Sequence, residues 1–408
     1  MKNIAIVACC DTKYHEVTYV KNLVKEFGHN PIIVDISLGR SVPMETEVSR
    51  DVVLKEGGYD VEEVIGKFSK SDAIAAMSKS IRVTIPRLHK EGRIDAVFGM
   101  GGLQNTIMCS AAFTQLPLGF PKMIVSTIAS GSRDFDLVVG DKDITVVPSI
   151  VDFCGINALS CTILKNAISA VVGMVEHGEK EVRTEGHTII GATLMGITND
   201  TVMDATEQLT AQGREVICFH STGLGGKVME QMIASGQIKA VMDLSLHELT
   251  AEYFGGKGAC QGAYNRLSAG AEAGIPMLIV PGAIDCISLR PNELFEDEEQ
   301  RGHLWHNPTL SHTRLYENEI LDITHIIVER LNKAKGRVKL LLPMDGLRTM
   351  SYEGQLFHKP ETIQKMKEIF EKDLKKEIEF KAVPYNFMDK EFADLVVREM
   401  NELLKELD

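Results

Sequence analysis

One pattern of strand, polar turn, helix, glycine and second strand occurs near the start of the chain and again in its second half. The first copy begins with the apolar run at 4–8 and reaches its second apolar run at 31–36. The later copy begins at 188–195 and reaches its second run at 215–221. Equivalent strands are therefore offset by 184 or 185 positions. This pattern is the repeating unit of a parallel sheet with right-handed crossovers.

Two further pairs of segments continue the repeat in the same order. The segment 92–98 resembles 236–242, and 121–125 resembles 276–280. Chance similarity between generic α/β patterns is the alternative, and four ordered matches disfavour it. A chain of 408 residues is also long enough for two hydrophobic cores. We therefore predict two tandem Rossmann-like α/β domains, each a doubly wound parallel sheet, with a cleft between them.

The polar stretch 177–187 separates the two copies and predicts the domain boundary. We expect an N-terminal anion- or nucleotide-binding domain at 1–182. A C-terminal domain at 183–408 then carries additional helices at its end. The last of these helices repeats apolar residues at helical spacing and is expected to face the core.

Composition narrows the classes of partner and the compartment. The formal net charge of −13 argues against nucleic acid or an anionic membrane as the main partner. We expect that no apolar run approaches transmembrane length, and no cleavage site follows the first apolar run. The eight cysteines include no C-x-x-C pair, which fits reduced thiols in a cytoplasmic protein.

Polar and glycine residues follow three predicted strands of the first domain, where ligands of open parallel sheets bind. Glycine lets the backbone approach an anion, helix-start amides bind it, and Lys13 adds a positive charge. A tight turn without a ligand explains any single loop equally well, but three converging loops favour a phosphate site. The candidates are Asp11, Thr12, Lys13, Gly101, Gly102, Ser126, Thr127, Ser130 and Gly131. Neither the dinucleotide pattern nor the P-loop is present, so ordinary NAD or P-loop NTPase chemistry is disfavoured.

The second domain offers different chemistry. The turn containing Thr222, Gly223, Gly225 and Gly226 is a candidate nest for a ligand carboxylate or phosphate. The candidate catalytic residues are His220, His306, Asp243, Asp285 and Arg314. Either histidine would act as general base, either aspartate would orient it, and the arginine would clamp a substrate carboxylate. Hydrogen-bonded structural histidines are the competing interpretation. The spacings match no compact zinc motif, and a metal in this domain is left open.

An ordered series of motifs along nearly the whole chain resembles the ATP-binding domain family shared with the tomato mosaic virus resistance protein. The motifs are Asp11-Thr12-Lys13, Gly99-x-Gly101-Gly102, Ser126-Thr127-x-Ala129-Ser130-Gly131, His220-x-Thr222-Gly223-x-Gly225-Gly226, Met229-Glu230, Pro281-Gly282-x-x-Asp285, His306-Asn307-Pro308, Arg314, Pro343-x-x-Gly346 and Gly354-Gln355-x-Phe357.

The resemblance implies a pair of Rossmann-like domains, a homodimer, and ATP with Mg²⁺ held by the nine candidate residues of the first domain. It also adds Glu230 and Asn307 to the glycine turn of the second domain as substrate-binding residues. The chain departs from the family pattern in two places. Cys10 and Tyr14 flank the Asp-Thr-Lys triplet where the family tends to have glycines. The glycine loop continues as Leu-Gln-Asn at 103–105, where the family usually has Ser-x-Gly.

The leading hypothesis is an ATP-binding, magnesium-dependent cytoplasmic enzyme that acts on a small carboxylated or phosphorylated metabolite between its domains. Two alternatives remain. One is an ATP-independent lyase or hydrolase that uses the region of His220 and His306. The other is a non-catalytic sensor or interaction protein that closes on a ligand.

Overall fold

The chain forms two compact units, Met1–Arg183 and Thr184–Asp408. The predicted boundary between 182 and 183 lies outside the described residues, and the cleft between the domains stays a prediction. The computed structural model describes residues 1–39, 44–129, 136–179, 188–258, 265–405 and 407.

The N-terminal domain is built on a five-stranded sheet in which every neighbouring pair is parallel. Its strands are β1 (Asn3–Ala8), β2 (Asn30–Asp35), β3 (Ala96–Gly101), β4 (Lys122–Ser126) and β5 (Thr145–Pro148). Its helices are α1 (Tyr14–Glu26), α2 (Arg50–Glu56), α3 (Val61–Gly66), α4 (Lys70–Lys90), α5 (Leu103–Phe113), α6 (Asp136–Val139) and α7 (Ala158–His177). The strand order is β2-β1-β3-β4-β5, so the direction of winding reverses between β1 and β3.

Helices cover both faces of this sheet because apolar side chains alternate along its strands. In β1, Ile4 and Ile6 face one core, which also contains buried residues of α1 and α7. Ala5 and Val7 face the other core, with residues of α4 and α5. The predicted doubly wound parallel sheet is confirmed in this domain.

One helix among the described residues, α7, is long and apolar enough to cross a membrane by length and composition alone. The expectation that no apolar run approaches that length is therefore wrong for α7. A core helix passes the same test, and Leu164, Ile168 and Val171 of α7 are fully buried in one of the domain's two cores. A cytoplasmic location stays a prediction.

The C-terminal domain contains a six-stranded parallel sheet and a three-stranded antiparallel one. Its strands are β6 (Ile189–Leu194), β7 (Glu215–His220), β8 (Ala240–Asp243), β9 (Met277–Ile279), β10 (Cys286–Leu289), β11 (His303–Asn307), β12 (Leu310–Arg314), β13 (Val338–Pro343) and β14 (Glu379–Val383). Its helices are α8 (Asn199–Ala211), α9 (Leu224–Ala234), α10 (Glu248–Tyr253), α11 (Ser268–Ala273), α12 (Glu298–Arg301), α13 (Glu317–Leu331), α14 (Pro360–Asp373) and α15 (Lys390–Leu404).

The order of the larger sheet, β7-β6-β8-β9-β13-β14, repeats the winding of the first domain and adds one strand. β6, β7, β8 and β9 correspond to β1, β2, β3 and β4, as the internal repeat predicts. The antiparallel sheet, in the order β10-β12-β11, comes from the connection between β9 and β13. The final helix buries Phe392, Val396 and Met400, which confirms its predicted core-facing stripe.

Candidate functional site

A cavity of about 520 Å³ lies at the carboxyl ends of β1 and β3, where the winding of the N-terminal sheet reverses. The position is the usual ligand site of an open parallel sheet, and the volume is in the range of small-molecule sites. Of the predicted nucleotide-binding residues, Asp11, Thr12, Lys13 and Gly102 line it. These four therefore meet at one cavity.

The polar side of the cavity combines a lysine, a carboxylate and a helix start. Lys13 Nζ donates to the Phe153 carbonyl at 2.5 Å, which anchors the ammonium. Asp11 Oδ2 accepts from the Gly39 amide at 3.1 Å, whereas Asp11 Oδ1 is buried and has no hydrogen-bond partner among the described residues. In the described part, no side chain accepts from the first amides of α5, which follows Gly102. Such free amides attract anions.

Apolar side chains of the segment between β2 and α4 form another wall of the same cavity. Val64 and Ile65 come from α3, and Phe68 lies in the turn before α4. Asn105 of α5 also lines the cavity. The Cys9 thiol donates to Asn105 Oδ1 at 2.6 Å, and Asn105 Nδ2 donates to the Met100 carbonyl at 2.7 Å. Burial and then the charge of Asp11 raise the pKa of Cys9, so this thiol is not a reactive thiolate.

The remaining predicted residues of this domain are placed differently. Gly101 has φ of +147°, and a Cβ there would overlap Asn105, so its glycine is required by the turn itself. Ser126 is buried; its hydroxyl bonds to the Thr106 hydroxyl at 2.6 Å and accepts from the Ile128 amide at 3.2 Å. Thr127 lies beside Gly102. Ser130 and Gly131 lie outside the described residues.

The predicted anion nest of the C-terminal domain is filled by a side chain of the protein. Glu248 Oε1 accepts from the amides of Gly223, at 2.6 Å, and Gly226, at 3.1 Å. A Cβ at Gly226 would overlap the Glu248 carboxylate, and one at Gly225 would overlap the backbone of His220. Close packing thus explains both glycines, against Glu248 at Gly226 and against the His220 backbone at Gly225. A ligand carboxylate would have to displace it to reach these amides, and Thr222 is left as a partly buried neighbour.

Glu248 belongs to a buried ionic cluster that sequence reasoning missed. Arg266 is 1% exposed and contacts three carboxylates: Glu230 at 2.6 Å, Asp243 at 2.8 Å and Glu248 at 2.6 Å. Burial disfavours the charge of Arg266, but the three carboxylates together raise the pKa of its guanidinium. Burial raises the pKa of Glu230 and Glu248, against the effect of Arg266. The signal in the sequence was an arginine in a glycine-rich loop, with no partner visible at helical spacing.

This cluster includes two residues with predicted roles. Asp243 also accepts from the Thr193 hydroxyl at 2.5 Å, and no hydrogen bond joins it to His220 or His306 in the part of the chain that the structure describes. Its contacts are with Arg266 and Thr193, and the role of orienting a histidine stays a prediction. Glu230, predicted to bind substrate, accepts from the amides of Leu267 and Ala269, at 2.6 and 2.8 Å, at the start of α11.

The two predicted histidines lie at the surface. His220 is exposed at the end of β7, where desolvation of its ring lowers its pKa. His306 is exposed on β11, with its ring 5.5 Å from that of His312. Asn307 follows it, and its side chain accepts from the Thr309 amide at 2.8 Å, which ties the β11–β12 turn. These two histidines form no hydrogen-bonded pair with each other among the described residues.

A buried chain of hydrogen bonds runs inward from His312. His312 Nδ1 is 3.0 Å from Ser288 Oγ, which is 2.9 Å from His247 Nε2, and His247 Nδ1 is 3.0 Å from the Ala283 carbonyl. Burial, together with the charge of Arg348, lowers the pKa of His247 to about 4 and that of His312 to about 3. Both imidazoles are therefore neutral at physiological pH.

The Ala283 carbonyl fixes the direction of this chain, because a carbonyl only accepts. His247 Nδ1 must donate to it, which leaves His247 Nε2 as an acceptor for the Ser288 hydroxyl. Ser288 in turn accepts from His312 Nδ1–H. The lone pair of His312 is consequently held on Nε2, which makes no hydrogen bond within the described residues. Sequence reasoning missed this chain of hydrogen bonds.

In the ranges that the structure describes, no three His, Cys, Asp or Glu side chains are grouped as metal ligands, and a metal in the second domain stays an open question. In the first domain, Asp11 Oδ1 is an unpaired buried carboxylate oxygen beside the uncapped helix start. Mg²⁺ bound to a nucleotide uses one or two such carboxylates together with phosphate oxygens. The residues present there fit the group that the family resemblance implies.

Comparison with known families decides the affiliation of the chain. Residues 2–180 match the N-terminal domain of the uncharacterised protein family UPF0261, and residues 187–404 match its C-terminal domain. The chain belongs to the UPF0261 family. A UPF0261 protein of Clostridium tetani is 34% identical over 409 residues, which are 99% of each chain.

The tomato proteins of the predicted resemblance are also relatives of this UPF0261 chain, which confirms that prediction. The ToMV resistance protein Tm-1(GCR237) of Solanum lycopersicum is 34% identical over 353 residues, 84% of this chain and 46% of the tomato protein. The chain thus spans about half the length of that relative. Among solved structures, MurG of Acinetobacter baumannii covers 98% of this chain and all of its own at 12% identity, with a TM-score of 0.21. A likeness of that size carries no argument.

Proposed function

We propose that the N-terminal domain of this UPF0261 protein binds ATP with Mg²⁺ in the cavity between β1 and β3. The nucleotide would serve an enzyme that acts on a small carboxylated or phosphorylated metabolite. One observation carries the proposal: a single cavity joins a cationic, amide-rich side to an apolar wall. A nucleotide needs both, since its phosphates are anionic and its base is apolar on its faces.

The role of each residue follows from what it contacts. Lys13 supplies a fixed positive charge, and the amides that open α5 supply donors for phosphate oxygens. Asp11 Oδ1 is the free oxygen for Mg²⁺. Val64, Ile65 and Phe68 form the surface on which the adenine would pack.

Calorimetric titration of the full chain with ATP, with and without Mg²⁺, tests the binding. We expect Lys13→Met to weaken Mg-ATP binding by about tenfold, as for the loss of one charge-assisted hydrogen bond. Lys25→Met, at an exposed position of α1, is the matched control and should leave the affinity unchanged. Asp11→Asn should reduce the difference between titrations with and without Mg²⁺. Absence of binding at millimolar Mg-ATP would overturn the proposal.

Turnover separates the proposed enzyme from its alternatives. Incubation with Mg-ATP and a panel of small acids should release phosphate, diphosphate or AMP. Turnover that persists without nucleotide would favour the lyase or hydrolase alternative. Binding and compaction without turnover, measured by small-angle scattering, would favour a sensor. The homodimer also stays a prediction, which sedimentation velocity measures directly.

A further inference from the structure

Charged and polar side chains outside the Arg266 cluster also collect at the carboxyl edge of the C-terminal parallel sheet. The connections after β8, β9 and β13 contribute His247, Asp285 and Arg348. The strand β12 contributes His312 and Arg314. This edge is where open parallel sheets bind ligands.

The register of the antiparallel sheet places His312 and Arg314 on one face together with two residues of β10. Cys286 pairs with Arg314, and Ser288 pairs with His312. Directly opposed side chains point the same way, and every second residue along a strand shares a face. The alternate residue, Ile287, points into the main core of the domain. The polar face is therefore the one turned away from that core.

Two arginines on this side present unused donors. Arg348 is fully buried; its Nη1 donates to Cys286 Sγ at 2.6 Å, its Nε donates to the Thr349 carbonyl at 3.1 Å, and its Nη2 has no partner in the described part. Arg314 donates from Nη1 to the Leu356 carbonyl at 3.1 Å, and its buried Nε is also without a partner there. A buried charged donor left unpaired is costly, so each such group needs an explanation.

Two acceptors near these arginines are also unused. Asp285 is 3% exposed, and its Oδ1 has no hydrogen-bond partner among the described residues. Burial raises the pKa of Asp285, while Arg348, Lys359 and Arg314 lower it, so all three cations lie near this carboxyl group. His312 Nε2 is the second acceptor, because the chain through Ser288 and His247 holds its lone pair there.

We propose that Arg348, Arg314, Asp285 and His312, the hydroxyacid cluster, form a binding site for a small hydroxycarboxylate. The carboxylate of the ligand meets Arg348 Nη2 and Arg314 Nε, and its hydroxyl donates to Asp285 Oδ1 or His312 Nε2. One ligand then satisfies both orphaned arginine donors and one of the two acceptors, which a simple carboxylate or a neutral alcohol does not.

Charge selects a hydroxyl over an ammonium group on the ligand. Arg348, Arg314 and Lys359 bring three positive charges near Asp285, the one carboxylate of the hydroxyacid cluster. An amino acid would place its ammonium in this positive field, whereas a hydroxyl carries no charge. Arg314 and Lys359 are only partly buried, so the ligand approaches from their side. This inference rests on the proposed function in one respect: it takes the hydroxycarboxylate to be the metabolite on which the ATP-binding enzyme acts.

Calorimetric titration of the full chain without nucleotide tests the site. The probes are glycolate, lactate and malate, each matched with the acid that lacks the hydroxyl: acetate, propionate and succinate. We expect each hydroxy acid to bind at least about tenfold more tightly than its partner, because an analogue without the hydroxyl leaves a buried acceptor unpaired. Equal affinity within a pair, or no binding of any hydroxy acid at millimolar concentration, overturns the proposal.

A variant pair locates the binding. Arg314→Lys keeps the charge but removes the Nε–H, and we expect about tenfold weaker binding of the hydroxy acid that binds best. Arg290→Lys, at an exposed arginine beside the end of β10, is the control and should bind like the wild type. Unaltered affinity in Arg314→Lys overturns the site. Loss of ATP binding with hydroxy acid binding intact would count against the proposed function alone, and the reverse result against this site alone.

Discussion

The glycine turns before α5 and α9 have the same local form but different surroundings. Each joins the end of a parallel strand to a helix of eleven residues, and each contains a glycine at positive φ, Gly101 before α5 and Gly223 before α9. Before α9, the amides of Gly223 and Gly226 are bonded to Glu248. Before α5, Gly102 opens onto a cavity. A glycine nest therefore predicts that an anion is needed nearby, but not whether the protein supplies it.

The difference arises from one long-range contact. Glu248 lies 22 residues from Gly226 and reaches it because α10 starts beside α9, after the neighbouring connection of the sheet. Arg266 then compensates the carboxylate that the nest has taken out of water. In the N-terminal domain, Asp11 is the carboxylate that corresponds to Glu248. Within the described residues, it accepts a hydrogen bond from the Gly39 amide and none from the amides at the start of α5.

Removal of the internal anion should have the largest effect. In Glu248→Ala, two buried amides lose their acceptor and Arg266 loses one of three partners, so we expect a loss of ~3–5 kcal/mol in the free energy of unfolding. Urea denaturation followed by circular dichroism measures it. Glu299→Ala, at an exposed site of α12 in the same domain, should change stability by less than ~0.5 kcal/mol.

The same variant offers a sharper test of the nest. If the amides of Gly223 and Gly226 require an anion, formate should stabilise Glu248→Ala more than it stabilises the wild type. Equal effects of formate on both proteins, or a stability loss no larger than that of Glu299→Ala, would remove the distinction between the two turns.

Substitution of one glycine in each turn should give the next largest loss of stability. A Cβ at Gly226 would overlap Glu248 and Arg266, so Gly226→Ala should cost ~1–3 kcal/mol of stability through overpacking. At Gly102 the nearest atom to a new Cβ is Thr127 Oγ1 at 3.6 Å, an ordinary contact, and Gly102→Ala should cost only ~0.5 kcal/mol. Thermal unfolding of the two variants measures the contrast. Similar losses would mean that both turns are packed alike.

Acid should act on the buried histidines of the C-terminal domain. Burial, reinforced by the charges of Arg348 and His220, lowers the pKa of His247 to about 4, below that of an unfolded histidine. The unfolded chain therefore binds more protons between about pH 6.5 and 4, and stability falls as the pH drops through that window, at up to ~1.4 kcal/mol per pH unit. Buried carboxylates with raised pKa act in the opposite direction, so the wild type alone is not informative.

Comparison with His247→Asn isolates the contribution of His247 to the pH dependence of the free energy of unfolding. The asparagine retains an amide donor for the Ala283 carbonyl but does not titrate. Its free energy of unfolding should depend less steeply on pH between 6 and 4.5 than that of the wild type, by up to ~1.4 kcal/mol per pH unit. His325→Asn, at an exposed position of α13, should keep the wild-type slope. Parallel curves for all three proteins would contradict the buried neutral state of His247.

The sequence predicted the winding of both domains because strand and helix periodicity is local and the chain repeats it. The strands β1, β2, β6 and β7 were found within one or two residues of their bounds. The convergence of the loops after β1 and β3 also followed from topology, since carboxyl ends of parallel strands share an edge. The nucleotide, its metal and the metabolite stay predictions.

The sequence could not predict which polar residues neutralise one another. Asp243 was assigned to a histidine because nothing in the spacing shows that Arg266, 23 positions later, reaches it. Ser288 was missed because a serine within an apolar strand looks like a core residue, and only the pairing of β10 with β12 sets it between His247 and His312. Arg348 follows a glycine motif, but its burial depends on packing against Phe357.

The smallest expected effect concerns the open turn. Leu103, the first residue of α5, is 54% exposed and lines the cavity, where the family usually has serine. Leu103→Ser adds a hydroxyl donor beside the free amides and uncovers little core, so Mg-ATP should bind about three- to tenfold more tightly, equivalent to one modest hydrogen bond. Ile107→Ser, one turn further along the same helix and outside the cavity lining, controls for the loss of an exposed apolar side chain. Calorimetry on both variants decides between two explanations of the open turn. If the turn lacks only a hydrogen-bond donor for phosphate, the new hydroxyl raises the affinity for Mg-ATP. If the natural ligand of the turn is not a phosphate, the affinity for Mg-ATP does not change.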